Sequence, residues 1–248
     1  MRILRYILSV ACIAMLTTSC VVSRAILYGD ASVDDYRAFE QENIVKGDYT
    51  YRFAELTESE RVLDTMRFEW MHFGRGEIAQ MTIDEAIAPS VDNAAIIIIH
   101  RDTILYERYF GEWSKNTQSQ IFSVTKTITA MLCGVAITEG HICSVEDRVT
   151  DYIPELKQAD SMFEELKIKH LLDMTAGLDF DENYSFNPFS KMAKLYMGRN
   201  TMRIIERAKF SHKPGERYDY NSLTTAILGV VIERATGMPY AEYLSSKI

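Results

Sequence analysis

The sequence predicts a mixed α/β fold, with an antiparallel sheet flanked by helices and an all-helical part beside it. Two β-rich runs, residues 94–99 and 103–110, are separated by Arg101-Asp102 and therefore predict a hairpin. The first run is apolar on both faces, which indicates a sheet covered on both sides. From residue 121 onward the pattern is helical, and the helices predicted at 121–140 and 223–235 are strongly apolar.

The first twenty residues are expected to form a targeting segment. Arg2 and Arg5 precede an apolar run at 6–16, which is followed by Thr-Thr-Ser-Cys. This pattern predicts a secretory signal, because the run is too short to span a membrane. Cys20 follows small residues and is a candidate for lipid attachment, with plain cleavage or an uncleaved anchor as alternatives. Each alternative places the protein in the cell envelope, periplasmic or membrane-anchored, with any membrane contact made through this segment.

The composition argues against several classes of protein. A net charge of −8 over 248 residues argues against a nucleic-acid partner, which requires a basic face. No Cys-x-x-Cys, no His-Glu-x-x-His and no clustered pair of histidines is present, so neither a metal nor a cofactor is expected. Cys133 lies in the apolar row of a predicted helix and is expected to be a core residue, in preference to a disulfide with Cys143.

Residues 21–92 are predicted to form an N-terminal extension and residues 93–248 the main domain. The extension is rich in Tyr, Asp and Glu and has one clear helix start. Thr82 and Glu85 have the spacing of a capping box, in which each side chain binds the other residue's backbone amide. A short helix is therefore expected to begin after Thr82.

The stretch 121–140 contains the candidate chemistry. From residue 121 to 138 its only charged side chain is Lys126, and apolar residues surround the helix, so burial on all sides is expected. Ser123 lies three residues earlier, on the same face of the first turn. A buried ammonium without a local carboxylate should have a lowered pKa, and such a lysine can accept a proton from a serine hydroxyl. The alternative is a lysine that merely extends to the surface.

Further helices are predicted after this stretch. One lies within 166–174 and is stopped by Gly177, two cover 190–197 and 200–208, and a last one begins near Tyr240. The polar and aromatic loop 179–188 contains Asn187. Its residues are expected either to line a cleft or, as is commoner for such loops, to cover the surface.

Tyr220 stands on the turn just before the apolar helix at 223–235. Packing is the usual role of a tyrosine in such a place. Beside a Ser-Lys pair, its phenol could instead relay protons, with a pKa lowered by the ammonium of Lys126.

These motifs, taken in order, resemble the serine β-lactamase superfamily. The residues that carry the resemblance are the hairpin, 121–154, 170–178 and 214–237, and it extends from about residue 93 to the last residue. Within the superfamily the chain is most similar to 6-aminohexanoate-dimer hydrolases and related esterases, alongside class C β-lactamases and D-alanyl-D-alanine carboxypeptidases. The resemblance implies a D,D-peptidase-like fold and a serine hydrolase that cleaves a small amide or ester through an acyl-enzyme, without a cofactor.

The resemblance also implies roles for individual residues. Ser123 would be the acylated nucleophile, Lys126 its proton acceptor, and Tyr220 the general base for acylation and deacylation. Ser222 takes the third place of a Tyr-x-Asn motif, whose Asn helps to bind the substrate amide in β-lactamases. Ser222 and Asn187 are the candidate substrate-binding residues. Serine in place of this asparagine favours amides or esters other than β-lactams as substrates. The alternative is D-alanyl-D-alanine carboxypeptidase or β-lactamase activity.

The family's third motif, a Lys-Thr-Gly-like or His-x-Gly-like triplet on a later strand, would be expected after residue 248, beyond the last residue of this sequence. In the family that strand also supplies an oxyanion-hole amide. The chain is therefore expected to be truncated at its C-terminus, with an incomplete sheet of two strands. A penicillin-binding-type sensor that is acylated without turnover, or an inactive remnant, is the alternative from another functional class.

Overall fold

The computed structural model describes residues 21–45, 47–71, 76, 78–87, 93–185 and 187–248. The predicted signal segment 1–20, with the candidate lipidation site Cys20, lies outside the described residues. The chain forms two compact units. Of the described residues, one unit comprises those within Gly47–Gln118, and the other combines residues 21–45 with Ser119–Ile248.

The described elements are helices, short strands and several 3-10 turns. The strands are β1 (Ala54–Glu55), β2 (Phe68–Met71), β3 (Ile78–Met81), β4 (Ala95–His100) and β5 (Thr103–Tyr109). The helices are α1 (Val21–Tyr28), α2 (Ile83–Ile87), α3 (Val124–Thr138), α4 (Val149–Tyr152), α5 (Ile168–Leu172), α6 (Lys191–Met197), α7 (Thr201–Ile205), α8 (Ser222–Thr236) and α9 (Tyr240–Lys247). Over the described ranges, every helix is too short or too polar to cross a membrane.

The predicted hairpin is confirmed in the unit Gly47–Gln118. Strands β4 and β5 pair antiparallel, from Ala95 opposite Tyr109 to His100 opposite Thr103. Two left-handed residues form the turn between them, with φ of 47° and 59°. Consecutive left-handed residues are typical of a type I′ turn, whose twist matches that of a hairpin.

The sheet that contains this hairpin has three strands, so the predicted number of two is wrong. Strand β1 pairs in parallel with β5, through Ala54 with Thr103 and Glu55 with Ile104. A two-residue strand is too short to show the alternating pattern of a β-strand, and its pairing therefore left no signal in the sequence. Strands β2 and β3 form a separate antiparallel pair.

The expectation that both faces of the sheet are covered is also wrong for the described residues. Ile97 and Ile99 of the outer strand β4 are 50% and 39% exposed. On β5, Tyr106 is buried, and its hydroxyl donates to the Asp84 carboxylate of α2 at 2.6 Å. Helix α2 begins with the predicted capping box, in which the Thr82 and Glu85 side chains accept from each other's amides.

The other unit is helical, and α3 and α8 pack against each other in its core. Helix α9 adds the fully buried ring of Tyr243 to this core. The fully buried side chains of α3 and α8 include Leu132, Cys133, Ala136, Ile227, Val231 and Ile232. Cys133 is thus a core residue with a free thiol, and burial raises its pKa to about 11.

The prediction that α3 is buried on all sides is wrong for the described residues. Val124 and Met131 are 59% and 56% exposed, although both belong to the apolar pattern of the helix. Helices α8 and α9 pack against one side of α3, where Thr129, Leu132, Cys133 and Ala136 are buried. The apolar pattern therefore overstates how much of the helix surface is covered.

The motif stretch 170–178 is joined by backbone hydrogen bonds to residues 211–219, where the stretch 214–237 begins. The Gly177 carbonyl accepts from the amides of Ser211 and His212, at 2.9 and 3.2 Å, and the Met174 carbonyl accepts from Asp219 at 2.7 Å. Gly177 has a φ of 74°, and a Cβ there would lie 2.3 Å from the His212 carbonyl oxygen. Glycine is therefore required at the position where these stretches cross. The pairing fixes the path of the chain that leads to Tyr220.

The N-terminal residues of this unit pack on helix α6. Arg24 of α1 is buried and donates to the Met197 carbonyl at 3.0 Å. Asp35 is also buried and accepts from the Tyr196 hydroxyl at 2.9 Å. Burial and this bond to a carboxylate raise the pKa of Tyr196. The N-terminal segment is thereby held to a helix that contributes to the cleft described below.

Candidate active site

Ser123 lies at the start of α3, directly after a strained residue. Phe122 has a φ of 43°, a left-handed conformation that costs a non-glycine residue about 1–2 kcal/mol. Strain of this kind is often found at functional sites, where the surrounding structure holds it. The turn presents the Ser123 side chain at an exposed position, where a substrate can reach its hydroxyl.

Lys126 contacts Ser123 as the spacing of the two residues predicted. Its Nζ donates to Ser123 Oγ at 3.1 Å and to Ser222 Oγ at 2.9 Å. The same atom lies 4.8 Å from the centre of the Tyr220 ring. Among the described residues the hydrogen-bond partners of this half-buried ammonium are hydroxyls and not carboxylates. The alternative of a lysine that only extends into solvent is therefore not observed.

Tyr220 completes a three-residue constellation. Its hydroxyl donates to Ser123 Oγ at 2.7 Å, and its side chain is 37% exposed. The next residue, Asn221, is buried and caps α8, because its side chain accepts from the Thr224 amide at 3.2 Å. This cap and the 174–219 backbone bond hold Tyr220 from both sides. Ser123, Lys126 and Tyr220 are thus brought together by two separate parts of the helical unit, the start of α3 and the turn before α8.

Glu182 is a member of the site that the sequence did not identify. Its carboxylate accepts from the Ser222 amide at 2.8 Å, from the Ser222 hydroxyl, and from the Tyr184 hydroxyl at 2.6 Å. Partial burial and then the bond to Glu182 raise the pKa of Tyr184 to about 12, so this phenol is a donor at neutral pH. An acidic residue in a polar loop was the only signal, and it did not indicate a partner 40 residues away.

The loop 179–188 therefore lines the cleft, and the preferred interpretation of a surface cover is corrected. Two cavities meet at Ser123, with volumes of about 480 and about 350 Å³. Tyr184 borders both of them. The larger one contains Lys126 and is otherwise lined mainly by apolar and hydroxyl side chains, among them Phe39, Met192, Leu195, Tyr196, Ser222 and Tyr240.

The two candidate substrate-binding residues lie in the walls of different cavities. Ser222 borders the larger cavity beside Lys126. Asn187 borders the smaller one, and its Oδ1 accepts from the Phe189 amide at 3.0 Å. Both positions are compatible with contact to a bound molecule, and their role in substrate binding stays a prediction. In the described part of the chain no group of three or more His, Cys, Asp or Glu side chains is arranged to hold a metal ion.

The arrangement combines an exposed hydroxyl with two groups that can exchange its proton. A serine hydroxyl can donate or accept, so the contact between Tyr220 and Ser123 would be kept if Tyr220 lost its proton and its oxygen became the acceptor. A nucleophile with a base in hydrogen-bond reach, itself oriented by a third group, is the usual geometry of covalent catalysis.

A protein-family model described as Beta-lactamase matches residues 82–248, which is more than half of the chain. The chain belongs to the Beta-lactamase family. Among curated relatives of this family member, Protein flp of Staphylococcus aureus (strain COL) is 26% identical over 165 residues. That match covers 63% of this chain and 32% of the relative. The 6-aminohexanoate-dimer hydrolase of Paenarthrobacter ureafaciens is 26% identical over 163 residues, which cover 61% of this chain and 40% of the relative.

Solved structures show the same fold as this Beta-lactamase family chain. A Bacillus anthracis protein described as a 6-aminohexanoate-dimer hydrolase has a TM-score of 0.63 at 22% identity. The match covers 81% of this chain and 52% of that one. A Bacteroides dorei protein described as a beta-lactamase has a TM-score of 0.51 at 20% identity, over 62% of this chain and 44% of that one. The chain spans about a third to two fifths of the length of the two curated relatives.

Proposed function

We propose that the protein is a serine hydrolase that cleaves a small amide or ester through an acyl-enzyme on Ser123. The observation that carries this proposal is the position of Ser123 Oγ, which receives both the Tyr220 hydroxyl and the Lys126 ammonium. Family membership supports the reaction class, because covalent catalysis by a Ser-x-x-Lys serine is known in this superfamily.

Acylation in this site begins with loss of the Ser123 proton. In the structure both Tyr220 and Lys126 donate to Ser123 Oγ, and the reaction requires that one of them has first given up a proton to solvent. The reacting form of the pair therefore contains either the Tyr220 phenolate or the neutral Lys126 amine, which accepts from Ser123. As Ser123 Oγ attacks the carbonyl carbon, its proton passes to that pair and the carbonyl oxygen gains the electron pair of the broken π bond. When the tetrahedral intermediate collapses, the bond to the amine or alcohol breaks. The leaving group takes the proton from the pair, which is then again one proton short.

Deacylation repeats these steps with water in place of the serine. The pair takes a proton from water, the resulting hydroxide attacks the ester carbon, and the Ser123 oxygen leaves. The proton on the pair returns to Ser123 Oγ, which restores the resting hydroxyl. The exposure of Ser123 and Tyr220 supports this half of the reaction, because water can reach both.

The proposed substrate is a small molecule with an apolar acyl or amine part. The larger cavity, of about 480 Å³, is within the range of small-ligand sites and has Phe39, Met192 and Leu195 in its wall. The name of the Paenarthrobacter ureafaciens relative describes an aliphatic amide of this size class. Ser222 in the place of an asparagine supports amides and esters other than β-lactams.

Labelling of the serine tests the proposal. The protein, expressed from its complete gene, would be treated with a fluorophosphonate probe, and the adduct would be located by mass spectrometry. Labelling should be lost in Ser123→Ala and kept in Ser119→Ala, which removes another exposed serine four residues away. An adduct that persists in Ser123→Ala would refute the proposal.

Turnover separates a hydrolase from a sensor. Release of p-nitrophenol from p-nitrophenyl acetate should continue for many equivalents per protein molecule. A burst of one equivalent that then stops would instead support an acylated, non-catalytic binding protein. A chain that is neither labelled nor active would be the inactive remnant.

We also propose that the protein acts in the cell envelope, attached through a lipid on Cys20. The order of the basic, apolar and small residues before Cys20 supports this proposal. Incorporation of labelled palmitate in cells should be lost in Cys20→Ala and kept in Cys12→Ala. A wild-type protein without label would favour plain cleavage or an uncleaved anchor.

A further inference from the structure

A chain of hydrogen bonds connects Lys126 to a carboxylate outside the proposed catalytic trio. Lys126 Nζ donates to Ser222 Oγ at 2.9 Å, and the Ser222 hydroxyl in turn donates to Glu182. A serine hydroxyl has one proton and two lone pairs. Because its proton is committed to Glu182, the oxygen of Ser222 presents lone pairs to the lysine.

Glu182 itself is fixed by more than this contact. One of its carboxylate oxygens accepts from the backbone amide of Ser222 at 2.8 Å, in the first turn of α8. Carboxylates are stabilised at helix N-termini by the free amides and the helix dipole. The Tyr184 hydroxyl supplies another donor at 2.6 Å. These two contacts hold the carboxylate in a position where it accepts the proton of the Ser222 hydroxyl in a hydrogen bond.

Lys126 needs such an anchor because its ammonium ends a flexible stem of four carbons. Lys126 Nζ donates to Ser123 Oγ and to Ser222 Oγ. The bond to Ser222 therefore holds Nζ within hydrogen-bond distance of Ser123. If Ser222 turned its proton towards Lys126, that acceptor would be lost and Nζ would be free to leave Ser123.

We infer that Glu182 is a positioning residue for Lys126 and acts through the Ser222 hydroxyl. This inference rests on the proposed function, because its effect appears in the reaction of Ser123. A purely structural role, in which Glu182 only attaches its loop to α8, would change stability without a selective change in the reaction rate.

The test is a set of variants of the protein expressed from its complete gene, with p-nitrophenyl acetate as substrate. In Glu182→Gln the amide can still accept from the Ser222 backbone, but its NH₂ then competes as a donor for the Ser222 oxygen. A misplacement of about 1 Å can cost up to about 100-fold in rate, so kcat should fall about 10- to 100-fold. KM should change less than about threefold, because the lost interaction acts on the reacting state.

Two further variants give the inference its specificity. Asp181→Asn removes the same charge from the neighbouring, exposed position of the loop and should stay within about twofold of wild type. Ser222→Ala removes the hydroxyl that links Lys126 to Glu182, and it should lower kcat as Glu182→Gln does. The double variant Glu182→Gln/Ser222→Ala should then be no slower than Ser222→Ala alone.

The outcomes separate this inference from the proposed function. Wild-type protein without Ser123-dependent turnover would refute the proposed function and the role of Glu182 with it. An active wild type with unchanged kcat in Glu182→Gln, an equal loss in Asp181→Asn, or losses that multiply in the double variant would overturn the role of Glu182 alone. Circular dichroism monitors folding. If Glu182→Gln does not fold, Ser222→Ala decides, and wild-type kcat in that variant overturns the inference.

Discussion

The hydroxyl of Tyr220 lies 2.7 Å from Ser123 Oγ, although the two residues are 97 positions apart in the chain. Lys126 Nζ contacts both of them, through a hydrogen bond to the serine and a position 4.8 Å from the tyrosine ring centre. The three side chains therefore form one connected group, and changes to any of them should not act independently.

Loss of either proton-transfer residue should remove most activity. Tyr220→Phe and Lys126→Ala are each expected to lower kcat/KM for p-nitrophenyl acetate by about 10²–10⁴-fold. Because the residues act as a unit, the double variant should be little worse than either single one. Steady-state kinetics on all three variants checks this, and losses that multiply would show that the two groups act separately.

The N-cap of α8 should support both stability and activity. Asn221→Ala removes the side-chain acceptor of the Thr224 amide and should lower the free energy of unfolding by about 0.5–2 kcal/mol. Activity should fall as well, since Tyr220 and Ser222 flank the cap. Asn221→Asp keeps an acceptor and is the matched control in urea denaturation. Equal stability of Asn221→Ala and wild type would contradict the role of the cap.

The crossing of the two motif stretches makes Gly177 sensitive to any side chain. Gly177→Ala places a Cβ 2.3 Å from the His212 carbonyl oxygen and also forces a left-handed alanine. Gly140 has a similar φ of 78°, but a Cβ added there would have no atom of another part of the chain within 4 Å. Gly140→Ala should therefore cost only the conformational term of about 1–2 kcal/mol, and Gly177→Ala more. Equal losses in unfolding free energy would show that the backbones separate easily.

A chromogenic cephalosporin should be a poor substrate relative to a short-chain ester. Ser222 occupies the place of the amide-binding asparagine, and its hydroxyl is already bonded to Lys126 and Glu182. Ser222→Asn is expected to raise the ratio of kcat/KM for the cephalosporin to that for p-nitrophenyl acetate about tenfold, the value of about one hydrogen bond. An unchanged ratio, or a wild-type preference for the cephalosporin, would refute the proposed substrate class.

His170 should make the protein less stable in mildly acidic solution. Burial, followed by the charges of Lys169 and Lys167, lowers the pKa of His170 below its usual 6.5. The unfolded chain therefore binds the proton more readily, and stability is lost as the pH falls from 6.5 through the folded-state pKa. Neutral His170 also accepts from the Lys167 amide through Nδ1 at 3.2 Å.

Replacement of this histidine isolates its contribution. His170→Asn can keep an acceptor for the Lys167 amide but does not titrate. The difference in unfolding free energy between wild type and His170→Asn should be constant above pH 7. As the pH falls below 6.5, wild type should lose more stability than His170→Asn. A difference that stays constant from pH 7 to pH 5 would show that His170 is not the titrating group.

The sequence predicted the parts of the site that depend on local spacing. Ser123 and Lys126 are three residues apart on one helix, so their contact follows from helix geometry alone. The position of Tyr220 before a helix was visible, but its approach to Ser123 was implied only by a family resemblance. The hairpin and the capping box of α2 were likewise local features, and both are confirmed.

Features set by long-range packing could not be predicted in this way. Glu182 reaches Ser222 because the 174–219 pairing brings its loop to α8, and no periodic pattern marks that approach. Strand β1 is too short to have a pattern of its own. The exposure of Val124 and Met131 depends on which neighbours surround α3, whereas the apolar pattern records only the residue types.

The attachment of α1 to α6 has a consequence for biosynthesis. Arg24 and its acceptor Met197 are separated by 173 positions, and Asp35 and Tyr196 by 161. A ribosome adds about 5–20 residues per second, so the first partner of each pair waits roughly 8–35 s before the second has been made. During that interval the cation and the carboxylate remain hydrated and the apolar residues of α1 have no α6 to pack on. Helix α1 therefore cannot dock until the chain has been made as far as Met197.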